Sequence, residues 1–261
     1  MRKTGIRLGI AVLTVLLAIS GVDFGITIFA EYRLSRTVRS ANSLSWDPSV
    51  AILGFPFIPQ ALRHRYSEVE IKANDVQHPH VGKAALETTL HGIDLVDASW
   101  LIRPDADLPV EKVESRIIVD STHLGGFIGI KDLIVEAPTR ETDDATESGI
   151  SDSHGLVFTG TPKSAGFTQR VSVAVDLSIS GPTQTTLELT PTGVLTGPGT
   201  ADQDVPDDQK AAVLQAFRSS LPDQRLPFGV APTTTGARGS DVIIEGIAEG
   251  LTIELAGFRQ S

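Results

Sequence analysis

A sheet-dominant α+β fold, with long antiparallel strands forming a large curved sheet served by a few helices, is what this 261-residue chain predicts. Three observations carry that expectation. Apolar residues recur with period two through several long stretches, the mark of strands with one apolar and one wet face. Gly (24) and Pro (15) are abundant while aromatic residues make up 5%, a mix that favours strands and turns. Helical spacing is confined to the N-terminal segment and to one stretch beginning at Asp207.

In chain order, Arg2, Lys3 and Arg7 precede an uncharged apolar run, Leu8–Val22, and after the lone acid Asp23 the apolar character resumes from Phe24 to Ala30. This is an export signal, read as an N-terminal anchor over residues 1–30 ahead of an extracytoplasmic domain over 31–261. At ~1.5 Å per residue, Leu8–Ala30 reaches about 35 Å, enough for a ~30 Å hydrocarbon core. Ala18-Ile19-Ser20 has the small–x–small look of a signal-peptidase site, but cleavage there would leave the apolar Phe24–Ala30 on the mature end. The basic residues ahead of the span place the N-terminus in the cytoplasm and the body outside it. Glu31–Asn42 then carries Leu34, Val38 and Ala41 at helical spacing and predicts a short amphipathic helix leaving the membrane. Its Arg33, Arg36 and Arg39 lie on another face, suited either to anionic headgroups or to plain solvation.

Beyond this the period becomes two. Val69, Ile71 and Ala73 share one parity, as do Val113, Ile117 and Val119, and Leu251, Ile253 and Leu255. The longest run is Val171, Val173, Val175, Leu177 and Ile179, with Ser172, Asp176 and Ser178 expected to face water. A helix is expected over Asp207–Ser220, started by Pro206 and the two aspartates and stopped by Pro222. Thr139–His154, rich in acids, and Thr196–Asp208, rich in Gly, Pro and Asp, read as loops.

Thirty-two acids against 22 bases give a net charge of −10, and residues 31–261 alone carry 31 acids and 19 bases. A body that acidic repels phosphate polymers, so nucleic acid is not an expected partner. Cysteine is absent, which removes disulfides, thiol nucleophiles and Cys-ligated metals. The chain contains no G-x-S-x-G, P-loop, H-E-x-x-H or complete G-x-G-x-x-G motif. His78-Pro79-His80 offers two imidazoles where a closed zinc site needs four ligands, and reads as a surface turn. Asp143, Asp144, Glu147 and Asp152 lack the spacing of a calcium loop. No catalytic residue, metal ligand or cofactor is therefore expected, and nothing selects a carboxylate pair for glycan chemistry.

The informative feature is apolar: Ile52-Leu53-Gly54-Phe55-Pro56-Phe57-Ile58-Pro59, followed by Ala61 and Leu62. Pro56 and Pro59 argue against a regular helix through the block. Phe55, Phe57, Ile58 and Leu62 suit a stiffened loop that dips into a bilayer interface or lips an apolar groove, and equally a plug in the core. Leu226-Pro227-Phe228-Gly229-Val230 repeats the theme near the C-terminus.

The export segment, Gly54-Phe55-Pro56-Phe57-Ile58-Pro59-Gln60 followed by Tyr66-Ser67-Glu68-Val69-Glu70-Ile71, and the late Leu226–Val230 block resemble the LmeA family of phospholipid-binding proteins, in layout over roughly residues 25–256. The resemblance implies an extracytoplasmic lipid-binding domain of mainly actinobacterial cell envelopes, in which a curved sheet and helices enclose an apolar groove, similar to tubular lipid-binding folds. It implies phospholipid or an envelope glycolipid as partner, the membrane as setting and no catalytic residues. Apolar strand residues Val69, Ile71, Val171, Val173, Val175 and Leu177 are then expected to line the groove together with Phe55, Phe57, Ile58 and Leu62. The acidic insert and the Gly/Pro loop depart from simpler members. A structural protein of the envelope, its sheet closed over a dry core, is the alternative that the alternating strands also fit, with a glycan-active enzyme a more distant one.

Overall fold

The computed structural model describes residues 2–95, 99–101, 103–137, 150–197, 199–201 and 204–259. Among these residues are four helices and eleven strands: α1 (Arg2–Asn42), β1 (Ser49–Leu53), α2 (Phe57–Arg63), β2 (Arg65–His78), β3 (Gly82–Asp94), β4 (Leu108–Asp120), α3 (Ser121–Ile128), β5 (Ile134–Glu136), β6 (Leu156–Gly160), β7 (Val171–Ser180), β8 (Thr186–Leu195), α4 (Asp207–Phe217), β9 (Ser219–Leu221), β10 (Thr234–Arg238) and β11 (Asp241–Ile253). The α+β expectation is borne out, with the strands divided between two sheets. One runs β1-β2-β3-β4-β11-β10 and the other β5-β6-β7-β8-β9, and neither closes into a barrel. Met1–Lys72, Thr88–Val113 and Glu249–Phe258 form one compact unit; Ala73–Glu87, Glu114–Ala248 and Arg259–Ser261 form a second.

In the first unit the N-terminal segment and the expected juxtamembrane helix are a single uninterrupted helix, because no Pro intervenes and the apolar spacing of Ala30, Leu34 and Val38 continues that of the span. At ~1.5 Å per residue its 41 residues extend about 60 Å. The two halves have opposite surroundings. The large apolar side chains described between Ile10 and Phe29 are exposed, whereas Ala30, Leu34 and Val38 are buried. The Ser35 hydroxyl donates to the Pro48 carbonyl at 2.7 Å, the Thr37 hydroxyl to that of Leu101 at 2.7 Å and the Asn42 amide to that of Leu255 at 2.8 Å. β1 pairs antiparallel with β2, setting Val50 opposite Ile71 and Ile52 opposite Val69. Leu255, to which the alternation extends the strand, lies in a short 3₁₀ turn (Leu255–Phe258), two residues beyond the end of β11.

The second unit holds the longest apolar alternation. β7 pairs with β6 and β8, and Val171, Val173, Val175 and Leu177 are buried on it. Ser172 is buried as well, contrary to the water-facing expectation. Its hydroxyl lies 2.7 Å from that of Thr159 and accepts the Ala201 N–H, so the polar parity of the strand is covered at this point. Pro191 sits in β8 where the β7 register shifts between Ala174 and Val175, a bulge at which the ladder asks for no donor. α4 begins where expected and stops at Phe217, with Val213 and Phe217 buried one turn apart. The acidic segment preceding Ile150 lies outside the described residues.

Pro79 and His80 form the expected exposed turn, but His78 at its start is buried. Its Nδ1 lies 3.2 and 3.3 Å from the backbone N–H groups of His80 and Val81, which donate to it, and its Nε2 lies 3.0 Å from the side-chain nitrogen of Gln224. Burial, aided by the neighbouring His80 and opposed by Asp223, lowers the ring pKa to about 4.

Candidate functional site

The Gly54–Gln60 block is a turn leading into a helix, and each residue has a distinct place in it. Gly54 has φ +97°, and a Cβ there would lie 2.4 Å from the Ser67 hydroxyl. Gln60 fastens the turn: its side-chain N–H donates to the Gly54 carbonyl at 2.5 Å and its carbonyl accepts the Ser67 N–H at 3.0 Å. The Phe55-Pro56 bond is cis. Pro59 was expected to break any helix here, yet it lies in the first turn of α2, where its missing N–H would have had no intrahelical partner.

The N-cap residue of α2, Pro56, has no side chain able to accept a hydrogen bond. The acceptor comes from α1 instead. Asp23, the only acid in the apolar run, accepts the Phe57 N–H at 2.9 Å through one carboxylate oxygen and the Ile58 N–H at 2.8 Å through the other. With Pro59 next, the open donors of the first turn are satisfied, and Asp23 is itself 3% exposed. Farther along α1, the Glu31 carboxylate accepts the Ile52 N–H at 2.8 Å. Together these bonds fix the block against the point where the span meets the folded unit.

The two phenylalanines diverge. Phe57 is buried, its ring centroid 6.0 Å from that of Tyr66, which in turn meets Trp100 edge-on at 5.1 Å. Phe55 is 65% exposed and stacks at 5.7 Å on Phe24 of the span. Leu62 is exposed on α2 and Ile58 is half-buried. An open cleft of about 540 Å³ lies beside Phe55, with Pro56 and Pro59 on an apolar wall and Arg63, Arg65, Asp94 and Glu111 on a charged one. Arg65 grips one oxygen of Asp94 through two nitrogens, at 3.0 and 2.5 Å. That pairing raises the pKa of Arg65 and holds the Asp94 carboxyl below the usual range.

The other residues expected to meet lipid are placed as follows. Val69 and Ile71 are buried in the first unit and Val171, Val173, Val175 and Leu177 in the second. The three valines of β7 and both first-unit residues are 0% exposed, so protein already covers them on every side. Arg33, Arg36 and Arg39 are exposed and border a cleft of about 610 Å³ on the last turns of α1. Arg36 donates to the Tyr32 hydroxyl at 2.9 Å and Arg39 pairs with Asp47 at 3.1 Å. Sequence reasoning missed the cap by Asp23 and the charged wall. The unexplained acid in the span was the one signal for the former.

Residues 21–247 of the chain match the LmeA-like phospholipid-binding family. The chain belongs to that family. No curated protein and no solved structure gives a match. The family is one of phospholipid-binding proteins, and the match begins at Gly21 and so takes in Asp23, Phe24 and the whole cleft. Among the described residues, no group of three or more His, Asp or Glu side chains is arranged to hold a metal ion. The Gly9–Asn42 part of α1 has the length and apolar composition to cross a membrane, features that a signal sequence shares.

Proposed function

We propose that this LmeA family member binds phospholipid, or a related envelope glycolipid, at the outer face of the cytoplasmic membrane, without catalysing a covalent step. The single observation that carries the reading is the stacking of Phe24 on Phe55. Phe24 belongs to the apolar span, so a ring stacked on it sits at nearly the same depth, and Phe55 enters the outer edge of the hydrocarbon. The exposed side chain of Leu62 extends the apolar surface at this level, and Tyr32 and Arg33 follow Phe29 within one helical turn, as expected of side chains at a headgroup layer.

In this reading α1 is a retained anchor. Arg2, Lys3 and Arg7 remain inside, and residues 8–29, about 33 Å long at 1.5 Å per residue, cross the bilayer. Arg33 and Arg36 stand about 6 and 10 Å farther along the helix, within about one Debye length of anionic headgroups. Phe55, Leu62 and the cleft beside them meet lipid directly. Acyl burial is worth ~0.8 kcal/mol per methylene, so an apolar lip at the leaflet lowers the cost of drawing a lipid partly out. Val69, Ile71, Val171, Val173, Val175 and Leu177 meet acyl chains only where the strands part. Their complete burial is the observation that favours the second reading, a structural protein of the envelope whose partner is another membrane protein.

Native mass spectrometry of the full chain, purified in detergent and mixed with phosphatidylglycerol and phosphatidylethanolamine, tests the proposal. Phospholipid adducts that weaken on Phe55→Ser are expected. A bare protein at every lipid concentration overturns it in favour of the structural reading.

A further inference from the structure

The cleft beside Phe55 is balanced in charge, yet its charges are separated onto different elements. Arg63 stands in the last turn of α2 and has no ion-pair partner among the described residues. Asp94 and Glu111 come from β3 and β4, and both act on the single cation between them: Arg65 is bound to Asp94 and its charge is further stabilised by Glu111. With Arg65 and Asp94 paired, Arg63 on α2 adds one positive charge to the lining and Glu111 on β4 one negative charge. Glu111 is held in place by a missing side chain. Gly92 has φ +60°, and a Cβ there would lie 2.4 Å from the Glu111 carboxyl carbon, so the carboxylate lies over the bare backbone of β3.

We propose that this cleft recognises a zwitterionic phospholipid headgroup bearing a primary amine, its phosphate drawn to Arg63 and its ammonium to Glu111. The inference rests on the reading of this face as lipid-binding and adds the headgroup class. An anionic headgroup such as glycerol phosphate would meet Arg63 equally well but would leave Glu111 uncompensated and facing a like charge, which turns the carboxylate into a selectivity element. A quaternary ammonium carries the same charge as a primary one and lacks the N–H donors that a carboxylate uses best. The charges are exposed to solvent, so the discrimination is modest.

The test is competition within one sample. The full chain in detergent is mixed with equal amounts of phosphatidylethanolamine and phosphatidylglycerol of identical acyl chains, and the two adducts are compared by native mass spectrometry. A preference of about threefold or more for phosphatidylethanolamine is expected, with phosphatidylcholine between the two. Glu111→Gln should bring the ratio to one or below by weakening the first lipid and strengthening the second, and Arg63→Gln should weaken both. Gly92→Ala, whose methyl takes the space of the carboxylate, should act on the ratio like Glu111→Gln, with a thermal melt confirming that the protein is folded. Equal adducts in the unaltered chain, or a ratio that Glu111→Gln does not move, overturns the headgroup assignment and leaves lipid binding standing. Absence of every adduct overturns the proposed function and this inference with it.

Discussion

The carboxylate of Asp23, set in the apolar run of the first helix, accepts the backbone N–H of Phe57 at 2.9 Å across 34 residues of chain. An acid within a span costs ~2.5–3.5 kcal/mol when it faces hydrocarbon at the helix centre. Here it is buried under the turn that it caps, so the cost is offset by two charge-assisted hydrogen bonds and the helix α2 gains the acceptor that Pro56 lacks.

Asp23→Ala leaves two N–H groups without an acceptor and should lower the stability of the detergent-solubilised chain by about 1–3 kcal/mol. Asp23→Asn keeps one acceptor oxygen and should recover part of the loss. Denaturant unfolding followed by tryptophan fluorescence measures both, Trp100 being buried next to Tyr66. Equal stability of all three proteins would remove the cap from the account.

Phe55→Ser and Phe57→Ser should separate cleanly, because the first ring is 65% exposed and the second 3% exposed. The Phe57 change should cost ~3–5 kcal/mol by opening a cavity against Tyr66. The Phe55 change should leave the melting temperature nearly unchanged and weaken lipid adducts. Destabilisation of similar size in the two variants would contradict the assignment of Phe55 to the lipid-facing surface.

Stability should fall on acidification through a window set by His78. In the unfolded chain this ring takes up a proton near pH 6.5 and in the folded one only near pH 4, so between these values the unfolded state binds more protons. The contribution is fully present above about pH 6.5 and declines as pH falls, by a few kcal/mol at about pH 4. His80 and Asp223 bear on the same ring. Unfolding free energies measured from pH 7 to pH 4.5 should show a shallower decline in His78→Asn; an unchanged slope would assign the acid sensitivity to other groups.

Val173→Trp places a large ring on a face that protein already covers completely. A cost of ~1–3 kcal/mol with unaltered lipid adducts is the expected result. A tolerated fold that has lost its lipid would instead put acyl chains against β7.

Much of the fold was legible in the sequence because strands and helices write their periods locally. The alternation at Val171–Ile179 marks β7 whatever pairs with it, and Pro206 with Asp207 and Asp208 marks the start of α4 whatever it packs against. Hydropathy alone likewise marked the apolar part of α1, and the composition of Gly54–Gln60 marked the block that turns into α2. What the local pattern lacked was orientation. Phe55 and Phe57, two residues apart, would share a face on a strand, but β1 ends at Leu53 and α2 begins at Phe57, which leaves Phe55 in the turn between them, so the two rings part. The beginning of that helix depends on Asp23, which approaches it only once α1 is packed against α2. The same holds for the cleft, whose opposed charges at Arg63 and Glu111 come from a helix and a strand. The sequence by itself determined which segments are strand, helix and apolar run, since each is a property of neighbours along the chain. Only the tertiary structure decided which aromatic ring is exposed, what satisfies the buried acid and which charges meet in the cleft, because each depends on contacts between residues far apart in sequence.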